Sequence, residues 1–307
     1  AVQVDPIFIR KGNRSLTLAP GVELLAISMS PAYQRMDASL LSIMGTENVV
    51  LRADGATLRM RQQEYLPPRY KEGEWRATLN IRQVTNLTVV GGTYKDAGGD
   101  GIFVESLTGP ILITKVTTDH AWRNGLSVIF ANGLTVSDSA FLNTAGTAPQ
   151  CGIDVEPDQS AQPLRGIVFN NVTLAGNARC GFSLAPASLI NSSEPIDISI
   201  DKMIIRDVPG TVHKGWGQKI DANVGGIGMQ LSDSYGVPGR VDVRNLLITS
   251  TYAQALYLDN WPSGFVSTSF DGLVIDNVTH GVGETYFYGR QPLAAFRLLQ
   301  RTWPATC

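Results

Sequence analysis

A five-residue pattern of small, apolar, variable, apolar and variable residues recurs along the chain and constrains its fold more than any other feature. The clearest copies begin at Gly101, Gly125, Gly152, Gly181, Gly228 and Ala255. Successive copies start 24, 27, 29, 47 and 27 residues apart, and two earlier copies begin at Leu40 and Thr78. Repeats of this length are typical of solenoid proteins, in which each unit buries its apolar face against its neighbours.

The segments between the copies have room for two more short strands each, as in residues 111–116 and 134–141. Their apolar residues alternate with period 2, and Asn, Asp or Gly stands at the joints, which indicates strands rather than helices. The helical period of 3.6 is sustained only in residues 292–301, which predicts a short C-terminal helix.

Three strands per repeat bury their apolar positions only if the repeats wind as coils, with each strand paired to its copy one turn later. We therefore predict an all-β fold over residues 1–307 as a single domain. It is a parallel β-helix of about ten coils with three strands per coil. This organisation resembles the single-stranded, right-handed parallel β-helix superfamily, the pectate lyase-like group of polysaccharide lyases, glycoside hydrolases and epimerases. The resemblance covers nearly the whole chain and implies a carbohydrate-active enzyme.

The composition argues against two classes of partner. The 25 Lys and Arg residues against 27 Asp and Glu residues give a formal net charge of −2, which lacks the basic footprint of a nucleic-acid-binding protein. No window of about 18 residues is uninterruptedly apolar, so we expect no membrane partner. Abundant Gly, Asn, Thr and Ser favour a secreted or periplasmic protein, and open sheet edges at the ends of the coil stack are compatible with a homo-oligomer.

The outward positions of the repeated strand should stack into two columns, because alternate side chains of a strand point to opposite faces. The third positions of the copies are Ser42, Asn80, Phe103, Ser127, Asp154, Ser183, Gln230 and Tyr257. The fifth positions are Met44, Arg82, Glu105, Ile129, Glu156, Ala185, Ser232 and Asp259. We expect an exposed face of acidic and aromatic side chains that binds a polysaccharide or oligosaccharide. Its expected substrate contacts are Arg82, Phe103, Tyr257 and Asp259.

Longer loops precede this strand in several coils and should emerge at one corner of the β-helix. They are residues 58–76, 119–123, 144–150 and 207–224. Loops on one side of a repeat array usually form its binding side. The corner adds the expected substrate contacts Trp122, Arg179, Trp216 and Lys219, and the candidate catalytic residues His120 and Arg123.

Asp154 and Glu156 are the main candidates for chemistry. They lie two residues apart on one strand, on the same face and about 6.6 to 7 Å apart at the backbone. The pair resembles the calcium-binding acidic pair of the lyase family that contains chondroitinase B. That resemblance implies that calcium, bound by Asp154 and Glu156, neutralises a uronate carboxyl group while a nearby basic group removes the C5 proton. We therefore predict β-elimination on a uronate-containing chain, with Arg123 and His120 as catalytic partners.

An inverting glycoside hydrolase is the alternative. Glu105 is expected two coils away from Asp154 and Glu156, about 9.6 Å at the backbone. Inverting enzymes place their two carboxyl groups roughly 6.5 to 9.5 Å apart. The chain lacks the Asp-Asp and Gly-His-Gly motifs of polygalacturonases and the Asp-Pro-His-Asp motif of alginate epimerases. A non-catalytic glycan-binding or tailspike-like module is a further alternative.

Two features at the start of the repeated strand have structural interpretations. Asp100 aligns with Asn124, Cys151 and Cys180, and we interpret its carboxylate as a turn-stabilising hydrogen-bond acceptor. The Cα atoms of Cys151 and Cys180 are expected about 4.8 Å apart, so a disulfide and a stacked pair of free thiols both fit.

Overall fold

The computed structural model describes residues 1–65, 70, 74–210, 226–232, 236–251, 254–258 and 266–277. The strands are β1 (Val2–Val4), β2 (Ile7–Ile9), β3 (Arg14–Thr17), β4 (Glu23–Ala26), β5 (Leu41–Arg52), β6 (Thr57–Arg59), β7 (Leu79–Val90), β8 (Thr93–Lys95), β9 (Ile102–Ser106), β10 (Ile111–Thr114), β11 (Thr117–Asp119), β12 (Leu126–Leu142), β13 (Cys151–Val155), β14 (Leu164–Ala175), β15 (Cys180–Leu184), β16 (Ile196–Val208), β17 (Ile227–Leu231), β18 (Gly239–Arg244), β19 (Leu247–Thr251), β20 (Gln254–Leu258), β21 (Val266–Asp271) and β22 (Val274–Asp276). Two 3-10 helices, Pro31–Tyr33 and Gln62–Glu64, lie in loops. The described ranges include no helix long and apolar enough to cross a membrane. The helix expected at residues 292–301 lies outside them.

The strands pair in parallel with their copies one coil later and form a parallel β-helix, as the repeat predicts. Each coil contributes to three stacked sheets. The first, here called the site sheet, consists in order of β2, β5, β7, β9, β12, β13, β15, β17 and β20. The second runs β3, β5, β7, β10, β12, β14, β16, β18 and β21, and the third runs from β1 through β4, β6, β8 and β11 to β22.

Some strands continue through a corner of the coil instead of ending there. Both β5 and β7 contribute to two sheets, so these coils lack the three separate short strands expected from the sequence. The corners are made by single residues with left-handed backbone, such as Gly45 (φ +58°) and Asn48 (φ +53°) within β5. Glycine and asparagine tolerate this conformation better than other residues, so a bend needs no loop.

The interior is filled by apolar side chains that stack from coil to coil. Ile43, Ile81, Val104, Val128 and Val155 follow one another in the register of the site sheet. All five are fully buried. Burial of each such side chain stabilises the fold by about 1.5–3 kcal/mol, so the alternation read from the sequence accounts for much of the winding.

The small residue that opens each repeat has a packing reason. A Cβ atom on Gly125 would lie 2.6 Å from the carbonyl oxygen of Gly152 and 2.7 Å from the Cβ of Phe141. These distances are shorter than van der Waals contact, so only glycine allows the starts of successive strands to approach the neighbouring sheet this closely.

Candidate active site

The outward column of the site sheet has the predicted register. Ser127 pairs with Asp154, and Asp154 pairs with Ser183 one coil later. The face is not the exposed surface that the sequence analysis expects, however, because Phe103, Ser127, Asp154, Ser183 and Asn80 are each at most 7% exposed. The expectation of an exposed acidic face is wrong for these coils, since neighbouring side chains and the residues that precede each strand cover it.

Arg123, in the loop before β12, is the centre of the site. Its Nη1 lies 3.4 Å from Asp100 Oδ2, its Nη2 lies 3.6 Å from Glu156 Oε2, and its Nε lies 3.8 Å from Glu74 Oε2. Only 11% of the Arg123 side chain is exposed. Burial alone would lower the pKa of Arg123, but Asp100, Asp154, Glu74 and Glu156 together raise it above its ordinary value.

Asn124 connects the carboxyl groups to the backbone and is fully buried. Its backbone N–H donates to Asp100 Oδ1 at 3.1 Å, and its Oδ1 accepts a hydrogen bond from the Cys151 backbone N–H at 3.0 Å. Its Nδ2 donates to Ser127 Oγ at 3.0 Å and to Asp154 Oδ2 at 3.3 Å. The side chain of Asp154 is therefore oriented by a partner whose own hydrogen bonds are satisfied.

The environment of Asp154 favours its protonated form. Burial and the charge of Glu156 raise the pKa of Asp154 to about 7, while Arg123 and a hydrogen bond with Ser183 act in the opposite direction. Burial likewise raises the pKa of Asp100, against the attraction of Arg123 and hydrogen bonds from Ser127 and Asn124. Glu156 lies just beyond the end of β13, and 47% of its side chain is exposed. One carboxyl group is thus enclosed, and its neighbour on the same strand reaches solvent.

A disulfide joins the start of the strand that carries Asp154 to the next coil. Cys151 and Cys180 are bonded, with their Cα atoms 4.5 Å apart. This resolves the alternative that the sequence leaves open. The pair lies with Ile227 in a small apolar cluster, and Tyr257 packs against this cluster.

Glu105 does not join the Arg123 cluster in the described contacts. Sequence alignment places Glu105 beside Ile129, but a β-bulge between Val128 and Phe130 shifts the register, and Glu105 pairs with Phe130. Its Oε2 lies 3.2 Å from Arg82 Nη1.

Arg82 also lies over the ring of Phe103, 4.8 Å from its centroid. These two expected substrate contacts therefore lie together, and Phe103 is 6% exposed.

His120 lies elsewhere on the corner. Its Nδ1 lies 2.7 Å from Asp119 Oδ1, and Lys95 Nζ lies 3.0 Å from the other oxygen of the same carboxylate. Trp122 and Arg179 are half-buried in the loops before β12 and β15. The expected contacts Trp216, Lys219 and Asp259 lie outside the described residues.

Sequence reasoning missed two members of the site, Asp100 and Glu74. Asp100 was interpreted as a turn residue; it does accept the Asn124 N–H, but it also contacts Arg123. Its alignment with Asn124 was a usable signal, because stacked coils bring equivalent positions together. No sequence pattern indicates that Glu74, which precedes β7, reaches Arg123.

The residues around Arg123 do not fit the expected calcium site. The guanidinium group already lies among the carboxylates that would ligate a cation. Calcium takes six to eight oxygen ligands. Within the part of the chain that the structure describes, no group of three or more His, Cys, Asp and Glu side chains is arranged to hold a metal ion. We therefore derive no catalytic step through calcium.

Known proteins show little sequence similarity to this chain. No family profile matches the chain, and no curated protein matches it. Among solved structures, pectate lyase Pel9A is similar with a TM-score of 0.48 and 12% identity, over 90% of this chain and 67% of that one. The catalytic unit of the GH87 α-1,3-glucanase from Streptomyces thermodiastaticus strain HF3-3 has a TM-score of 0.31 and 14% identity, over 89% and 62% of the two chains. At these values the likeness concerns the β-helix alone.

Proposed function

We propose that the protein is a carbohydrate-active enzyme that hydrolyses a glycosidic bond, with Asp154 as the general acid and Glu156 as the general base. The observation that carries this proposal is the contrast between two carboxyl groups on one strand. Asp154 is enclosed, and its pKa is raised to about 7, so a large fraction holds a proton near neutral pH. Glu156 is nearly half exposed and accessible to water. Environments that separate two carboxyl groups in this way are typical of acid and base pairs.

The spacing of this pair is compatible with hydrolysis. Same-face neighbours on a strand lie about 6.6–6.8 Å apart at the backbone. Inverting enzymes hold their two carboxyl groups roughly 6.5–9.5 Å apart, so side chains of Asp154 and Glu156 that project in parallel leave room for a water molecule. Asp154 donates its proton to the leaving glycosidic oxygen as the bond to the anomeric carbon breaks. Glu156 takes a proton from the water whose oxygen bonds to that carbon from the opposite face. The product is a reducing sugar with inverted configuration.

Arg123 favours hydrolysis over the elimination that the sequence analysis prefers. A base that removes a C5 proton must be free of its own proton, whereas the surrounding carboxylates raise the pKa of Arg123 above its ordinary value. Arg123 instead acts as a fixed cation that orients Glu156 and Asp100. Export is part of this proposal, because disulfides such as Cys151–Cys180 persist in oxidising compartments.

The test is a panel of neutral and uronate-containing polysaccharides with two readouts, new reducing ends and absorbance near 235 nm. We expect reducing ends without new absorbance. Asp154→Asn and Glu156→Gln should each lower kcat by about 10²–10⁴-fold. Glu194→Gln is the control, because Glu194 is a 58% exposed partner of Arg165 on another surface. Unsaturated products would show elimination, and tight binding with no product would show a non-catalytic module.

A further inference from the structure

A cleft of about 480 Å³ opens at the corner where the first three coils leave the site sheet. Residues from three successive turns contribute to it, among them Arg10, Asn13, Glu47, Gln83 and Thr85. The cleft lies several coils away from the carboxylate pair. The coil of Asp154 is separated by five strand pairings of the site sheet from the coil of Arg10 and by three from the coil of Gln83. At about 4.8 Å per pairing these separations are about 24 Å and about 14 Å.

The wall of the cleft uses an uncommon backbone conformation. Gly45 and Gln83 occupy the same turn position in consecutive coils, between the paired residues on either side. Both are left-handed, with φ of +58° and +51°. A Cβ on Gly45 would meet no atom within 4 Å, so this position opens into free space. Left-handed residues form corners throughout the described coils, and at this corner Gly45 and Gln83 shape the wall of the cleft.

The turns that hold the cleft are tied together. Asn48 Nδ2 donates to Asn13 Oδ1 at 3.2 Å, and Asn86 Nδ2 donates to Asn48 Oδ1 at 2.7 Å. This ladder of amides fixes the three turns at the spacing of the coils. A site formed in advance costs a ligand less ordering than one made by loose loops.

The lining chemistry points to a neutral ligand rich in hydroxyl groups. Arg10 and Glu47 cancel in formal charge, and the remaining polar groups are amides and hydroxyls that both donate and accept hydrogen bonds. The cleft is shallow and open to solvent, so a chain-like ligand can lie across it. Phe8, 52% exposed and 4.6 Å from Arg10, adds an apolar surface beside the opening. We infer that this cleft is a second binding site, which holds a segment of a neutral oligosaccharide away from the catalytic pair.

Titration calorimetry on the Asp154→Asn protein tests the inference, because that variant should not consume the glycan. The probes are cellohexaose, laminarihexaose and maltohexaose, with hexagalacturonate as the anionic counterpart. At least one neutral hexasaccharide should bind, and the double change Gln83→Ala with Thr85→Ala should weaken it at least tenfold. Gln3→Ala, an exposed glutamine of β1 in the same coil as Arg10, is the control and should leave binding unchanged.

A second variant separates binding from folding. Gln83→Gly relieves the left-handed strain, so the thermal midpoint should stay equal or rise while affinity falls at least tenfold. The inference is overturned if affinity is unchanged in both variants, if hexagalacturonate binds more tightly than every neutral probe, or if no neutral probe binds. Its failure is distinct from that of the proposed hydrolysis, because Glu156→Gln should lower kcat by about 10²–10⁴-fold and leave binding that depends on Gln83 intact.

Discussion

Replacing Asp154 with Asn tests the environment of this carboxyl group through the stability of the protein. In the folded protein the pKa of Asp154 is raised from 3.8 to about 7, mainly by burial and the charge of Glu156. The folded state therefore holds a proton that the unfolded state releases. The stabilisation that comes from protonation is complete below pH 3.8 and is lost as pH rises through about 7. The fold should lose stability with rising pH across this window.

The size of the effect follows from the shift. Each unit of pKa difference corresponds to about 1.36 kcal/mol, and integration between pH 5 and pH 8 gives a loss of about 2.5 kcal/mol from this group. Asn carries no charge, and it keeps the local bonds if its oxygen accepts from Asn124 and its amide donates to Ser183. The Asp154→Asn variant should therefore lack this loss. Relative to wild type, it should gain about 2.5 kcal/mol between pH 5 and pH 8.

Urea denaturation followed by tryptophan fluorescence at pH 5, 6, 7 and 8 measures the difference. Asp197→Asn serves as the matched control, because Asp197 is 40% exposed and pairs with Arg240 on the surface. That variant should follow the pH dependence of wild type. Parallel curves for wild type and Asp154→Asn would refute the reasoning, since they would show that the folded protein binds no extra proton at Asp154.

Three further predictions address the surroundings of the pair. Arg123→Met should lower the free energy of unfolding by about 3–5 kcal/mol, because it leaves the buried Asp100 charge uncompensated. The exposed control Arg165→Met should lower it by less than about 1 kcal/mol. Equal losses for the two variants in urea denaturation would contradict the role given to burial. Changing Cys151 and Cys180 together to Ser should lower the free energy of unfolding by about 3.5 kcal/mol at pH 7, because the unfolded chain regains the entropy of a 29-residue loop. An unchanged midpoint of urea denaturation would argue against a stabilising disulfide. Treatment with EDTA should leave the hydrolysis rate unchanged. A loss of activity that added calcium restores would instead show that the protein needs a bound metal ion.

The register of β13 in the site sheet is predictable from sequence because alternate residues of a strand face the same side. Asp154 faces outward between Ser127 and Ser183, and Cys151 lies over Cys180, as the alignment of small and apolar positions requires. A slip of one residue would turn every buried side chain to the outside, so the hydrophobic pattern alone fixes the pairing.

The composition of the site was less predictable, since it depends on how far loop side chains reach. The sequence identifies Arg123 as a partner, but its contact with Glu74 joins it to a residue of another coil that no repeated position indicates. Glu105 pairs with Phe130 instead of Ile129 because β12 has one extra residue at a β-bulge. An extra residue of this kind breaks the one-to-one pairing of residues on which the alignment rests.

The contrast between the two carboxyl groups of the proposed pair has a simple structural origin. Strand alternation brings Asp154 and Glu156 to one face, but β13 ends at Val155 between them. Asp154 therefore lies within the sheet, enclosed by the outward side chains of the coils on either side. Glu156 keeps one more ladder bond, from its backbone N–H to Val128 O at 3.0 Å, and then turns out at the rim. The burial of the Asp154 carboxyl group and the exposure of the Glu156 carboxyl group thus both follow from the end of β13 at Val155.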